Sequence, residues 1–171
     1  MFRSTRSVAL SLALSLALTA CGGGEKTPAE LVTEGGRALG SNDYAAALAS
    51  FEELDAAIGS DSSNPLYMDA KKGMLNSLAG ADPARAIAEL EAMADDLGDN
   101  LNVKLYNGIA SRMSGAGHFD EAVEVIGLAT ARFGKSDELA NQAAQISTQA
   151  KSAGVEGIDD AMAGLGYVGN D

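Results

Sequence analysis

Two residues with reactive side chains stand out in this 171-residue chain, and each occurs once: Cys21 and His118. One thiol makes no intrachain disulfide, and one imidazole makes no pair of histidine ligands for a metal. His118 follows Gly115-Ala116-Gly117 in a turn that enters a helical segment, where it reads as a surface or capping residue. No serine has a G-x-S-x-G setting and no glycine-rich loop follows a strand-like run, so neither an acyl-transfer nucleophile nor a phosphate cradle is indicated. The carboxylates of Glu52-Glu53-Asp55, Asp95-Asp96-Asp99 and Asp159-Asp160 lack the alternating oxygen ligands and central glycine of a calcium loop. They read as solvated helix faces. The expectation is a protein that is not an enzyme, with no cofactor and no metal.

The lysines offer a different chemistry. From Leu101 to Gly117 the chain carries Lys104 and Arg112 and no carboxylate, although Asp and Glu outnumber Lys and Arg by 24 to 12 overall. Lys71 and Lys72 lie in an earlier helical segment. A basic strip on an acidic protein suits an acidic partner, whereas the acidic surplus disfavours nucleic acid and anionic lipid surfaces.

Cys21 acquires a role from what precedes it. Arg3 and Arg6 form a positive start, Val8 to Leu18 an apolar run, and Leu18-Thr19-Ala20-Cys21 ends on small residues before the thiol. The run is shorter than the roughly 20 residues a bilayer span needs, so it reads as an export signal. Leu18 to Cys21 resembles the lipobox of bacterial lipoproteins. That resemblance implies cleavage after residue 20, a diacylglyceryl group on the Cys21 sulfur and an acylated new N-terminus. Gly22 after the cysteine then implies the periplasmic face of the outer membrane. Without residues 1–20, ten basic residues face 24 acidic ones, a net charge of −14. Residues 21–28 form a flexible tether of the glycine-rich kind, 29–154 a helical domain and 155–171 a tail. The tail is either flexible or forms a brief helical turn around Asp159 to Leu165 with Tyr167 and Val168 folded back.

The elements that would position the lysines are helices. Abundant alanine, no tryptophan and 5% aromatic residues favour closely packed helices over a sandwich of strands. Apolar spacing and caps predict helices near 28–40, 42–58, 65–79, 83–97, 101–115, 118–133 and 136–153. Asn64-Pro65 and Asp82-Pro83 pair an N-cap acceptor with proline at the first helical position. Asp99 or Asn100 is expected to open the fifth helix and Ser136 the last. Three stretches step by three, four and three residues: Tyr44-Ala47-Phe51-Leu54, Pro83-Ala86-Leu90-Met93 and Phe119-Ala122-Ile126-Ala129. That spacing puts each set on one helix face, and the alanine recurs 39 and 36 residues apart.

This unit resembles the tetratricopeptide repeat, a helix-turn-helix of about 34 residues. The small residue of the second helix matches at Ala47, Ala86 and Ala122, the aromatic after the turn at Tyr44 and Phe119, and the large apolar position at Phe51, Leu90 and Ile126. In the first helix the small residue is Gly35 and Ala110; the middle repeat has Met74 there with Gly73 adjacent. The tryptophan and late proline of the consensus are missing. The resemblance implies an all-α solenoid of about three hairpins plus a capping helix, Asp137 to Ser152.

In tetratricopeptide domains the first helices line a concave, peptide-binding face. Carried onto this frame, that face comprises Val32, Leu39, Met68, Lys71, Leu75, Leu78, Lys104, Asn107 and Ser111. It is expected to hold an apolar segment that ends in, or carries, an acidic group. The implied function is a lipid-anchored protein-interaction scaffold or adaptor in the cell envelope, with a protein or peptide partner. The alternatives are a structural subunit with a permanently filled groove and a small-ligand-binding lipoprotein.

Overall fold

The computed structural model describes residues 25–59, 61–98 and 101–167. The expected export signal, Cys21 and the residues Asp99 and Asn100 lie outside these residues. The described chain is all-helical: α1 (Pro28–Gly40), α2 (Tyr44–Ile58), α3 (Tyr67–Ala81), α4 (Pro83–Leu97), α5 (Val103–Gly115), α6 (Phe119–Phe133), α7 (Asp137–Ala153) and α8 (Ile158–Gly164). None of them is long and apolar enough to cross a membrane.

Local chemistry sets most boundaries. The Asp82 side chain accepts from the Arg85 N–H ahead of Pro83, and Ser136 accepts from the Leu139 N–H; each satisfies a donor that the first helical turn leaves open. Thr27 and Glu30 form a capping box, the Glu30 carboxylate accepting from the Thr27 N–H at 2.8 Å. Residues 27 and 28 thus belong to the entry of α1 rather than to a free tether. Two starts depart from expectation. Asn64 turns its side-chain oxygen to the Leu66 N–H at 2.9 Å, which spends the cap inside a turn and delays α3 to Tyr67. Asn102, not Asp99 or Asn100, caps α5 by accepting from the Leu105 N–H. The αL conformation of Gly59 and of Gly154 (φ 68° and 74°) ends α2 and α7.

Sequential helices pack in pairs: α1 on α2, α3 on α4, α5 on α6. The first members of the pairs also meet, α1 with α3, α3 with α5 and α5 with α7. α2 packs extensively on α3, whereas α4 does not pack along α5 and reaches α6 instead. The core falls into two parts that meet on α3. Leu31, Ala47, Phe51, Leu54, Ala70 and Met74 form one; the larger runs from Leu75 to Tyr167. Ala47, Ala86 and Ala122 are all fully buried, as expected of side chains whose smallness lets two helices approach.

The segment after α7 is folded. Ile158, Met162 and Tyr167 are buried, the Tyr167 hydroxyl meets the Thr130 hydroxyl at 2.8 Å, and Lys151 pairs with Asp159 across the α7–α8 turn at 2.7 Å. α8 packs on both α6 and α7. Of the two readings of the tail, the folded one describes residues 155–167; Val168 lies outside the described residues.

Candidate partner-binding groove

α3 and α5 run side by side, and a cavity of about 350 Å³ opens between them. The α3 wall is Met68, Lys72 and Asn76, which succeed one another at four-residue steps and so form one stripe. The facing wall is Lys104, Leu105 and Gly108 of α5, with Leu101 and Asn102 of the preceding loop closing one end. Lys72 and Lys104 are exposed, Met68 and Leu105 half-buried. Among the described residues no carboxylate lines the cavity.

The state of the other lysines makes these two distinctive. Lys26 pairs with Glu34, Lys71 with Asp55 and Lys151 with Asp159, and Lys135 donates to the Gly166 carbonyl at 3.3 Å. Lys72 and Lys104 alone among the six described lysines make no ion pair or side-chain hydrogen bond with described residues. Two ammonium groups without an ion-pair partner among the described residues, the side-chain amides of Asn76 and Asn102, and the apolar surfaces of Met68 and Leu105 thus share one groove. Asn76 already donates to the Lys72 carbonyl, at 2.8 Å.

The residues expected on this face divide. Met68 and Lys104 line the groove. Asn107 and Ser111 are half-buried on α5; the Asn107 Oδ1 is buried without a hydrogen-bond partner among the described residues. Val32 and Leu39 are half-buried and pack on the α1–α2 core. Leu75 and Leu78, expected as groove floor, are 2% and 0% exposed and belong to the core. Lys71, expected beside Lys104, points elsewhere: its Nζ lies 3.0 Å from Asp55 and 5.6 Å from the Tyr67 ring centroid, at a separate hollow against α4. The reason is that α1, α2, α4 and α5 all pack on α3. So little of its surface stays wet that the exposed stripe is Met68-Lys72-Asn76, roughly a quarter turn from the expected one. Cys21, the expected lipidation site, lies outside the described residues.

Lys72, Asn76, Leu101, Asn102, Leu105 and Gly108 were not among the expected groove residues. The four-residue step from Met68 through Lys72 to Asn76 was visible, but equally regular steps ran through Lys71 and Leu75. His118 stands at the N-cap of α6, half-buried, and its side chain makes no capping hydrogen bond.

A second opening lies where α4 fails to meet α5. Ala94, Tyr106, Leu128 and Ala131 line it, with Glu91 and Asp95 on the α4 rim and Arg132 on the α6 rim. The Tyr106 ring meets Phe133 edge-on at 5.4 Å. Burial pushes the Tyr106 phenol above its ordinary pKa, Arg132 opposing the shift and Glu91 adding to it.

Compared with protein-family models, with curated proteins and with solved structures, the chain matches none.

Proposed function

We propose that this protein is a non-enzymatic interaction module, tethered through a lipid on Cys21 to the periplasmic face of the outer membrane, that captures an acidic polypeptide segment of a partner in the α3–α5 groove. The observation that carries this reading is the pair Lys72 and Lys104, which have no ion-pair partner among the described residues and line opposite walls of a groove that no described carboxylate lines, in a chain of net charge −12. An acidic segment gains both attractions there, while its approach elsewhere meets repulsion, so charge selects the site more than it sets the affinity. Apolar burial on Met68 and Leu105 supplies affinity that salt does not screen.

The architecture we propose is a tetratricopeptide-like solenoid. Pairwise packing of α1–α2, α3–α4 and α5–α6, with first helices adjoining one another, supports it. The short α8 against α6 and α7 then makes a truncated fourth hairpin that closes the stack, a place where solenoids need a polar outer surface.

The test is cross-linking capture from solubilised envelope membranes with the lipidated protein and with Lys72→Glu/Lys104→Glu. The wild type should retain a partner that the variant loses, with thermal stability changed little because both positions are exposed. Equal capture by both proteins overturns the groove reading. For the anchor, Cys21→Ser should move the protein from the membrane to the soluble fraction, since stable attachment takes two or more acyl chains.

A further inference from the structure

The cleft between α4 and α6 is separate from the groove and carries the opposite charge. Its cavity of about 530 Å³ exists because α4 leans to α6 and away from α5. The floor is apolar and aromatic: Ala94, Tyr106, Leu128 and Ala131. Phe133, in edge contact with Tyr106, is 38% exposed, one of two large hydrophobic side chains so exposed among the described residues. On the α4 rim Glu91 and Asp95, one helical turn apart and both exposed, form no ion pair with described residues. The rim cation opposite, Arg132, is already engaged, donating to the Gly98 carbonyl at 2.6 Å and lying 5.8 Å from the Phe133 ring centroid.

We propose that this cleft is a second docking surface, and that its occupant is a polypeptide segment with an apolar side chain flanked by lysine or arginine. The apolar side chain enters between Ala94 and Leu128, above the buried Tyr106 ring and beside the exposed Ala131; the flanking cations meet Glu91 and Asp95. Charge complementarity is the basis for this choice. An acidic segment would face two uncompensated carboxylates, whereas a basic one relieves the repulsion between them. The molecule would then hold two partners of opposite charge on different faces.

The experiment titrates the full chain into two dansylated peptides, Lys-Phe-Leu-Lys and Glu-Phe-Leu-Glu, and follows fluorescence anisotropy. The lysine peptide should bind saturably and the glutamate peptide at least about tenfold more weakly. Glu91→Lys/Asp95→Lys and the cleft-filling Ala131→Arg should each weaken the lysine peptide by about tenfold or more. Glu53→Lys/Glu156→Lys, the same charge change away from the cleft, should leave it within about twofold. Lys72→Glu/Lys104→Glu must not weaken it, which keeps this proposal independent of the groove. Equal loss in the cleft and remote reversals would mean general attraction to an acidic surface and overturns the proposal. So does a failure of the lysine peptide to saturate, or a dimer in sedimentation that Ala131→Arg dissociates, since a second copy would then be the occupant.

Discussion

The junction between α2 and α3 and the junction between α4 and α5 occupy corresponding places in the chain, yet one is closed and the other open. At the first, Phe51 of α2 lies between two glycines. A Cβ added to Gly35 of α1 would sit 2.7 Å from its ring, and one added to Gly73 of α3 would sit 2.3 Å away. Tyr44 repeats the device further along, against Gly80, where a Cβ would come within 2.4 Å. At the second junction the residues in register are Leu90 and Pro83, and the α5 position that matches Gly73 is Ile109. Without an aromatic ring to insert and a glycine to receive it, α4 stays off α5 and leaves the Tyr106–Leu128 cleft. Missing side-chain volume closes one junction and leaves the other open.

The comparison breaks most severely if Phe51 is removed. Phe51→Ala should cost about 3–5 kcal/mol, because the ring fills a space that two glycine backbones cannot collapse to close. Denaturant unfolding measures it, and a loss below about 1 kcal/mol would show that α1 and α3 relax inward.

Next in size is Gly73→Ala. Ordinarily alanine stabilises a helix interior relative to glycine by roughly 0.5–1 kcal/mol. Here the methyl would overlap Phe51, and overpacking of this kind costs about 1–3 kcal/mol, so the sign reverses. Gly108→Ala is the matched control, since a Cβ there meets nothing within 4 Å; it should stabilise modestly. If both alanines raise the melting temperature, the ring moves aside easily and the closed junction is not held by shape. Gly73→Ala combined with Phe51→Leu should cost less than the two changes summed, because the shorter side chain vacates the overlap.

These glycines show how far sequence patterning reaches. The existence of α1 to α7 was legible, because apolar spacing and the caps at Asp82 and Ser136 act locally, whereas α8 stood only as one of two readings of the tail. The three buried alanines followed from their shared step. Gly73 was visible only as a neighbour of Met74: both positions suited a small-residue pattern, and only the approach of Phe51 decides between them. The exposed stripe of α3 was not legible for a related reason. A helix packed by four others has no polar half to reveal its orientation, so Lys71 and Lys72 look alike until Asp55 on α2 is seen to take one of them. The starts of α3 and α5 shifted because Asn64 and Asn102 compete for local backbone donors, and a sequence does not say which asparagine caps a turn and which caps a helix. Thr27-Pro28-Ala29-Glu30, by contrast, is a readable capping box that a tether assignment obscured.

The smallest effect tests whether the closed junction is insulated from its own edge. Hydrogen bonds from the Thr27 backbone N–H and then its hydroxyl hold Glu30 below the ordinary carboxylate pKa. A carboxyl group with a depressed folded-state pKa contributes stability that is fully present above its unfolded value and is lost as pH falls through the folded one. The first turn of α1 should therefore fray as the pH is lowered below the ordinary glutamate range, and amide exchange at Leu31, whose N–H donates to the Thr27 carbonyl, should accelerate. In Glu30→Gln the amide keeps an acceptor for the Thr27 N–H but does not titrate, so that acceleration should disappear. Exchange at Phe51 should stay unchanged in both proteins, because its ring is held by Gly35 and Gly73 rather than by the cap. If acid loosens Leu31 and Phe51 together, α1 unfolds as one unit with the closed junction, and the glycine contacts hold the helix less firmly than their closeness implies.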